Sequence, residues 1–166
     1  MSSEDRIEGK ESLEKQYETP DPWGFQTNPE DAKRKEKILS ILTKRYKRAI
    51  DIGCGEGWIT KDLPADEIFG YELSDTASSR LPENVKRAKR FTGKYDLVIA
   101  TGVIYPFYNG DKLLEKIKEI SSGDVLLCNI TDWEIPNDYP IVEEFKYREY
   151  VERIRFGSQH RKHKPS

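Results

Sequence analysis

Ala49-Ile50-Asp51-Ile52 runs straight into Gly53-Cys54-Gly55-Glu56-Gly57, and this junction decides the fold. The first four residues read as a short buried strand. Beyond the glycines, Trp58-Ile59-Thr60-Lys61-Asp62-Leu63 reads as a short helix stopped by Pro64. Glycines between a strand and a helix leave the backbone bare, so a ligand can lie where any Cβ would clash. A glycine-rich loop alone also describes an ordinary tight turn, so the surrounding chain has to decide between the two.

Outward from the loop, strand and helix signals alternate. Upstream, Asn28-Pro29-Glu30 reads as a helix start, with Asn at the cap and Pro at the first helical position. Ile38, Leu39, Ile41, Leu42 and Tyr46 recur at helical spacing, which predicts a helix ending near Lys47. Downstream, residues 67–73 read as a second strand, 75–80 as a helical turn and 84–87 as a third strand. Tyr95-Asp96-Leu97-Val98-Ile99-Ala100 is a nearly all-apolar fourth strand, the pattern of a strand covered on both faces of a parallel sheet. Asn109-Gly110-Asp111 caps a helix whose apolar face is Leu113, Leu114, Ile117 and Ile120, and residues 124–129 form a fifth strand. Alternation over 143–150 and 152–156 predicts a terminal antiparallel pair. The order gives an α/β fold of three layers, Rossmann-like, with a mostly parallel sheet and a C-terminal antiparallel strand pair.

The chain has 166 residues, room for one domain. Its apolar residues collect between positions 38 and 128, so three segments are expected. These are a flexible acidic N-terminus over 1–19, a folded domain over 20–157 and a basic flexible tail over 158–166. The formal net charge of −2 excludes a polycation, but charge is segregated. Residues 1–19 carry six acids against three bases, 30–47 carry seven bases against three acids, and 153–166 carry five Arg/Lys, two His and no acid. A basic tail can mark a nucleic-acid binder; with no aromatic after Phe156, a solvated terminus is the simpler reading. No apolar run approaches the ~20 residues of a membrane span, and the acidic N-terminus lacks the apolar core of a secretory signal. Two cysteines, Cys54 and Cys128, are too few for a disulfide framework or a four-cysteine zinc site, so a reduced, cytoplasmic compartment is expected.

Two carboxylates narrow the ligand. Glu72 ends the second strand 21 positions after Asp51 and is suited to accept hydrogen bonds from both hydroxyls of a ribose. Asp51 stands just ahead of the first loop glycine. A dinucleotide fingerprint needs a glycine where Trp58 stands, and a pyrophosphate would be repelled by Asp51 and Glu56. No Gly-Lys-Ser/Thr follows, which excludes a nucleotide P-loop. S-adenosylmethionine carries no phosphate. It brings an ammonium, a sulfonium and a ribose diol, which Asp51 and Glu72 complement.

On these residues the sequence resembles the class I S-adenosylmethionine-dependent methyltransferases. Residues 51–57 look like their first motif, Tyr71-Glu72-Leu73-Ser74 their second, and residues 95–100 their fourth, a likeness covering about residues 20–130. Asp21-Pro22-Trp23-Gly24-Phe25-Gln26-Thr27 before a helix, with Val103-Ile104-Tyr105 after the fourth strand, further resembles the nodulation-type N-methyltransferases. The resemblance implies S-adenosylmethionine as cofactor and a methyltransferase fold. By position, Gly53, Cys54 and Gly55 would line the methionine part, Asp51 would support its amino group, Glu72 would hold the ribose and Leu73 would meet the adenine. Thr101 and Gly102 would lie near the methyl group, and Trp23 with Lys33 or Arg34 would close over the cofactor and meet its carboxylate. The chain departs from the pattern twice: residues 84–90 hold no acid for the adenine amine, and Gly102 stands where nodulation-type relatives often carry Glu.

Methyl transfer from a sulfonium is an in-line displacement, in which the protein chiefly holds the nucleophile about 3–3.5 Å from the methyl group. Both histidines, His160 and His163, lie in the tail, and no Cys/His/Asp metal pattern is visible. The candidates around the cleft are Tyr105, Tyr108, Asp132 and Glu134, with Tyr105 and Asp132 taken as catalytic. Plain readings stand beside these, edge packing for Tyr105 and Trp133 and a turn-forming acid for Asp132. The absence of a core histidine base tilts the acceptor toward an amine over a hydroxyl. Ala100-Thr101-Gly102-Val103 replaces the Asn-Pro-Pro-Tyr type signature of nucleic-acid amino-methyltransferases, which disfavours nucleic acid. The expected activity is methyl transfer to a small-molecule or glycan acceptor. The alternatives are an S-adenosylmethionine-binding module without catalysis or needing a partner, and an RNA methyltransferase using the basic tail and the predicted helix over 30–47. Short connections after the second and fifth strands leave little chain for a lid, which a homodimer mate or partner protein would supply.

Overall fold

The computed structural model describes residues 10–102 and 110–158. Along the chain come α1 (Lys10–Gln16), α2 (Pro29–Ile41), β1 (Tyr46–Ile52), β2 (Ala65–Tyr71), α3 (Asp75–Ser79), β3 (Val85–Arg87), β4 (Tyr95–Ala100), α4 (Gly110–Ile120), β5 (Ser121–Ile130), β6 (Ile141–Tyr147) and β7 (Tyr150–Ser158). The strands form one sheet in the order β3-β2-β1-β4-β5-β7-β6. The first five in that order pair parallel, whereas β7 pairs antiparallel with both β5 and β6. The expected three-layer α/β sheet with its terminal antiparallel pair is therefore present.

Strand alternation separates the two covered faces. Ile50, Ile52, Val98 and Ala100 pack with Leu113, Leu114, Ile117 and Ile120 of α4. Ala49, Leu97, Ile99, Leu126 and Cys128 pack on the other face with Ile38 of α2. Asp51 shares the parity of Ala49, so its carboxylate points into the α2 side of the sheet and is 2% exposed.

Two local expectations are corrected, and the structure adds detail to a third segment. The periodicity through Tyr46 extended α2 too far, because α2 stops at Ile41 and Tyr46 opens β1. There the Tyr46 hydroxyl donates to Asp124 Oδ2 at 2.7 Å, and the Lys47 and Arg48 amides donate to Asp96, which draws this backbone into the sheet. The helix after the glycine loop shrinks to a 3₁₀ turn over Thr60–Asp62, since the run before Pro64 is too short to repay helix nucleation. Within the N-terminal segment expected to be flexible, residues 10–16 form α1, with Leu13 and Tyr17 buried beside Ala77. Glu14 fixes that docking by accepting from the Ser74 hydroxyl and the Thr76 amide, and Lys10 pairs with Asp75 at 2.8 Å.

Candidate functional site

The strand order reverses between β1 and β4, and at such a switch point the loops leaving the strand ends diverge and open a crevice. A cleft of about 470 Å³ lies there, in the size range of small-ligand sites. Its floor is the loop after β1. The Gly53 and Cys54 amides both donate to the Tyr71 carbonyl, at 2.8 and 3.2 Å, which ties the loop to the end of β2. Gly55 has φ +58°, and a Cβ there would stand 3.0 Å from the Tyr17 hydroxyl. Glycine suits the left-handed backbone, and any Cβ there would crowd the Tyr17 hydroxyl.

Glu72 straddles two loops. Its Oε1 accepts from the Gly55 amide at 2.9 Å and its Oε2 from the Ser74 amide at 3.0 Å. These two bonds hold the carboxylate in place beside the glycine loop. Asp51 Oδ2 accepts from the Thr60 hydroxyl at 2.8 Å, while Oδ1 is buried with no hydrogen-bond partner. Burial, with Glu72 nearby, pushes the Asp51 carboxyl up to about 7, against the opposing effects of Thr60 and Arg34. An orphaned acid oxygen this deep is costly unless a cation comes to it.

The walls are aromatic. Tyr17 meets Trp23 edge-on at 5.3 Å, Trp23 stacks with Phe25 at 5.9 Å, and Phe25 with Trp58 at 6.2 Å. The Asp21 carboxylate accepts from the Phe25 and Gln26 amides, which sets the turn carrying Trp23 and Phe25. Glu56 faces this turn by accepting from the Asp21 amide, and it pairs with Arg80 at 3.0 Å. Burial together with Asp51 and Glu72 pushes the Cys54 thiol well above its ordinary value, so it is no thiolate nucleophile.

A buried ion pair also lines the cleft. Arg34 Nε donates to Glu152 Oε1 at 2.9 Å, Arg34 Nη2 donates to the Thr101 carbonyl, and the Cys128 thiol donates to the same Glu152 oxygen at 2.9 Å. Burial opposes the Arg34 charge, but Cys128, Glu152 and Tyr147 beside it more than offset this. The guanidinium also lies over the Tyr147 ring, 5.3 Å from its centroid. Asp31, fully buried at the start of α2, accepts from the Tyr147 hydroxyl and from Arg148 Nη2, and so locks α2 to the β6–β7 hairpin.

Trp23, Arg34, Asp51, Gly53, Cys54, Gly55, Glu72, Leu73, Thr101 and Gly102 all line this one cleft, from segments far apart in the chain. Lys33 is not among the lining residues. Asp132 is exposed in a 3₁₀ turn and does not line the cleft, although its neighbour Trp133 does. Glu134 is held by Arg153 at 3.0 Å and by Arg155. Tyr105 and Tyr108 lie outside the described residues, as do His160 and His163. Among the described residues no group of three His, Cys, Asp or Glu could hold a metal ion, and no helix is long and apolar enough to cross a membrane. The sequence reading missed Glu152 and Tyr147. The available signal for Glu152 was its register: it shares the i, i+2, i+4 face of β7 with Ile154 and Phe156, so the acid falls on an apolar stripe.

Residues 27–163 match the family described as Methyltransferase domain. The chain belongs to this family. Among solved structures, this methyltransferase is similar to the N-methyltransferase NodS from Bradyrhizobium japonicum WM9, solved with S-adenosyl-L-homocysteine, at TM-score 0.75 and 14% identity over 90% of this chain and 97% of that one. It is also similar to magnesium protoporphyrin IX methyltransferase from Synechocystis PCC 6803, solved with S-adenosylmethionine, at TM-score 0.65 and 14% identity over 90% and 96% of the two chains. A third likeness is to a ribosomal protein L11 methylase from Lactobacillus delbrueckii subsp. bulgaricus, at TM-score 0.54 and 15% identity over 80% and 81%. Comparison with curated proteins gave no match. The named acceptors of these neighbours range from a porphyrin to a protein, so the shared fold names no acceptor.

Proposed function

We propose that this methyltransferase uses S-adenosylmethionine and transfers its methyl group to a small-molecule or glycan acceptor, at nitrogen in preference to oxygen. The observation that carries the reading is the pair of carboxylates set at two ends of one glycine floor. Asp51 presents an unpartnered buried oxygen, and Glu72 is clamped by the Gly55 and Ser74 amides at the glycine loop. An amino group suits the first and a ribose diol the second. Arg34 uses Nε and Nη2 within the protein and has no described partner at Nη1, which fits a cofactor carboxylate. Tyr17, Trp23 and Leu73 supply apolar surface for the rest of the nucleoside.

Bound there, the cofactor supplies an activated methyl group. The chain's part is to hold and exclude: Asp51 and Arg34 fix one end, Glu72 the other, and the aromatic walls keep water from the sulfonium. No described histidine stands in the cleft, and an amine acceptor, which attacks through a neutral lone pair, needs no strong base. The test is transfer of a labelled methyl group from S-adenosylmethionine to cell extract fractionated into small molecules, glycans, protein and RNA. Label in an amine of the small-molecule or glycan fraction is the expected result. Label confined to RNA, or binding without transfer, would replace this reading with one of its rivals.

A further inference from the structure

Glu152 is the most buried acid lining the cleft that the cofactor reading leaves unused. It is 1% exposed, sits on β7 in register with Ile130 of β5 and Phe145 of β6, and spends both of its bonds on one oxygen. Arg34 Nε and the Cys128 thiol both reach Oε1, and no described residue donates to Oε2. A single guanidinium spans Glu152 and the Thr101 carbonyl, so the acid stands one Arg side-chain head away from the residue that follows β4. Trp133, Tyr147, Asn129 and Ile130 line the same end. This carboxylate thus shares the cleft lining with the aromatic rings of Trp133 and Tyr147.

We infer that Glu152 Oε2 is the acceptor-binding group, and that it takes an N–H of an aliphatic amine whose remaining lone pair faces the methyl group. This rests on the cofactor reading above. Arg34 holds Oε1 and so fixes the carboxylate, leaving Oε2 to select and aim the acceptor. The acceptor enters as an ammonium and gives one proton to solvent. Its lone pair then forms the N–C bond as the C–S bond breaks, with the sulfur keeping the bonding pair as a thioether. The positive charge that leaves the sulfonium arrives on a nitrogen already beside a carboxylate, an arrangement that favours the transition state more than the starting amine.

The test compares wild type with Glu152→Gln, each loaded with S-adenosylhomocysteine. Glucosamine, benzylamine and cyclohexylamine are set against glucose, benzyl alcohol and cyclohexanol, with ligand-observed NMR reading the dissociation constants. The amide keeps an oxygen for Arg34 and Cys128 but presents donors where the amine needs an acceptor. Wild type is expected to prefer the amines by about tenfold or more. Glu152→Gln should lose that preference while its affinity for S-adenosylhomocysteine stays within about twofold, and Glu152→Asp should restore part of the preference. Equal binding of amines and alcohols by wild type, or binding of neither, overturns the inference. So does a Gln variant whose main loss is cofactor affinity, which would make Glu152 only a support for Arg34. A wild-type protein that fails to take up S-adenosylhomocysteine defeats the cofactor reading instead, and the two failures are told apart at the loading step.

Discussion

Replacing Asp51 with Asn separates what the buried carboxylate costs the protein from what it gives the ligand. The native carboxyl is raised to about 7, mainly by burial, against about 3.9 in an unfolded chain. Between these values the folded state binds more protons than the unfolded state, so stability falls as pH rises through that interval. The cost is absent below about pH 4 and complete above about pH 7. Three pH units at 1.36 kcal/mol each make it about 4 kcal/mol. Asn accepts the Thr60 hydroxyl as before, but its amide nitrogen inherits the partnerless position, at about 1–3 kcal/mol. At pH 8 the variant without ligand should therefore be more stable than wild type by about 1–3 kcal/mol, and at pH 4 less stable. Denaturant melts across pH 4–8 read this directly. Calorimetric titration should show the opposite trade, with S-adenosylhomocysteine binding weakened by about ten- to a hundredfold through loss of a charge-assisted hydrogen bond. In wild type below about pH 7 binding should release a proton, visible as a buffer-dependent heat. A variant destabilised equally at pH 4 and pH 8, with ligand affinity intact, would refute the reasoning.

Glu72→Ala removes the acceptor for two backbone amides and the proposed diol contacts together, so ligand affinity should fall by about a hundredfold or more, measured by calorimetry. Asp132→Asn should leave methyl transfer unchanged within about twofold, because Asp132 is exposed and outside the cleft; a large loss would restore it as a catalytic candidate. Asp31→Ala leaves Arg148 and the Tyr147 hydroxyl without their buried partner, and should cost about 2–4 kcal/mol in denaturant melts.

The parts of the fold legible in the sequence were those where one signal dominates. β4 reads as an apolar run interrupted only by Asp96 because both its faces are covered, and the amphipathic stripe of α4 shows at Leu113, Leu114, Ile117 and Ile120. The glycine-floored part of the cleft was legible for a different reason. Gly53 and Gly55 carry positive φ, and Glu72 follows at a fixed interval because β2 lies next to β1 in the sheet. What stayed hidden depended on partners distant in the chain. Tyr46 suits a helix or a strand until Asp124 and Asp96 are placed beside β1. Leu13 and Tyr17 read as sparse apolar residues in an acidic stretch until the Glu14 contacts with Ser74 and Thr76 seat α1. For Glu152 the sequence held only its place on the apolar stripe of β7, because its partner Arg34 lies 118 positions away.

The central claim is that the glycine-floored cleft between the ends of β1 and β4 takes a sulfonium nucleoside and no dinucleotide. Titrating S-adenosylhomocysteine and, separately, NAD into the wild-type protein in a calorimeter tests it most directly. One molecule of S-adenosylhomocysteine per chain with no heat from NAD is the predicted result. Saturable binding of NAD, or no binding of S-adenosylhomocysteine, would contradict it.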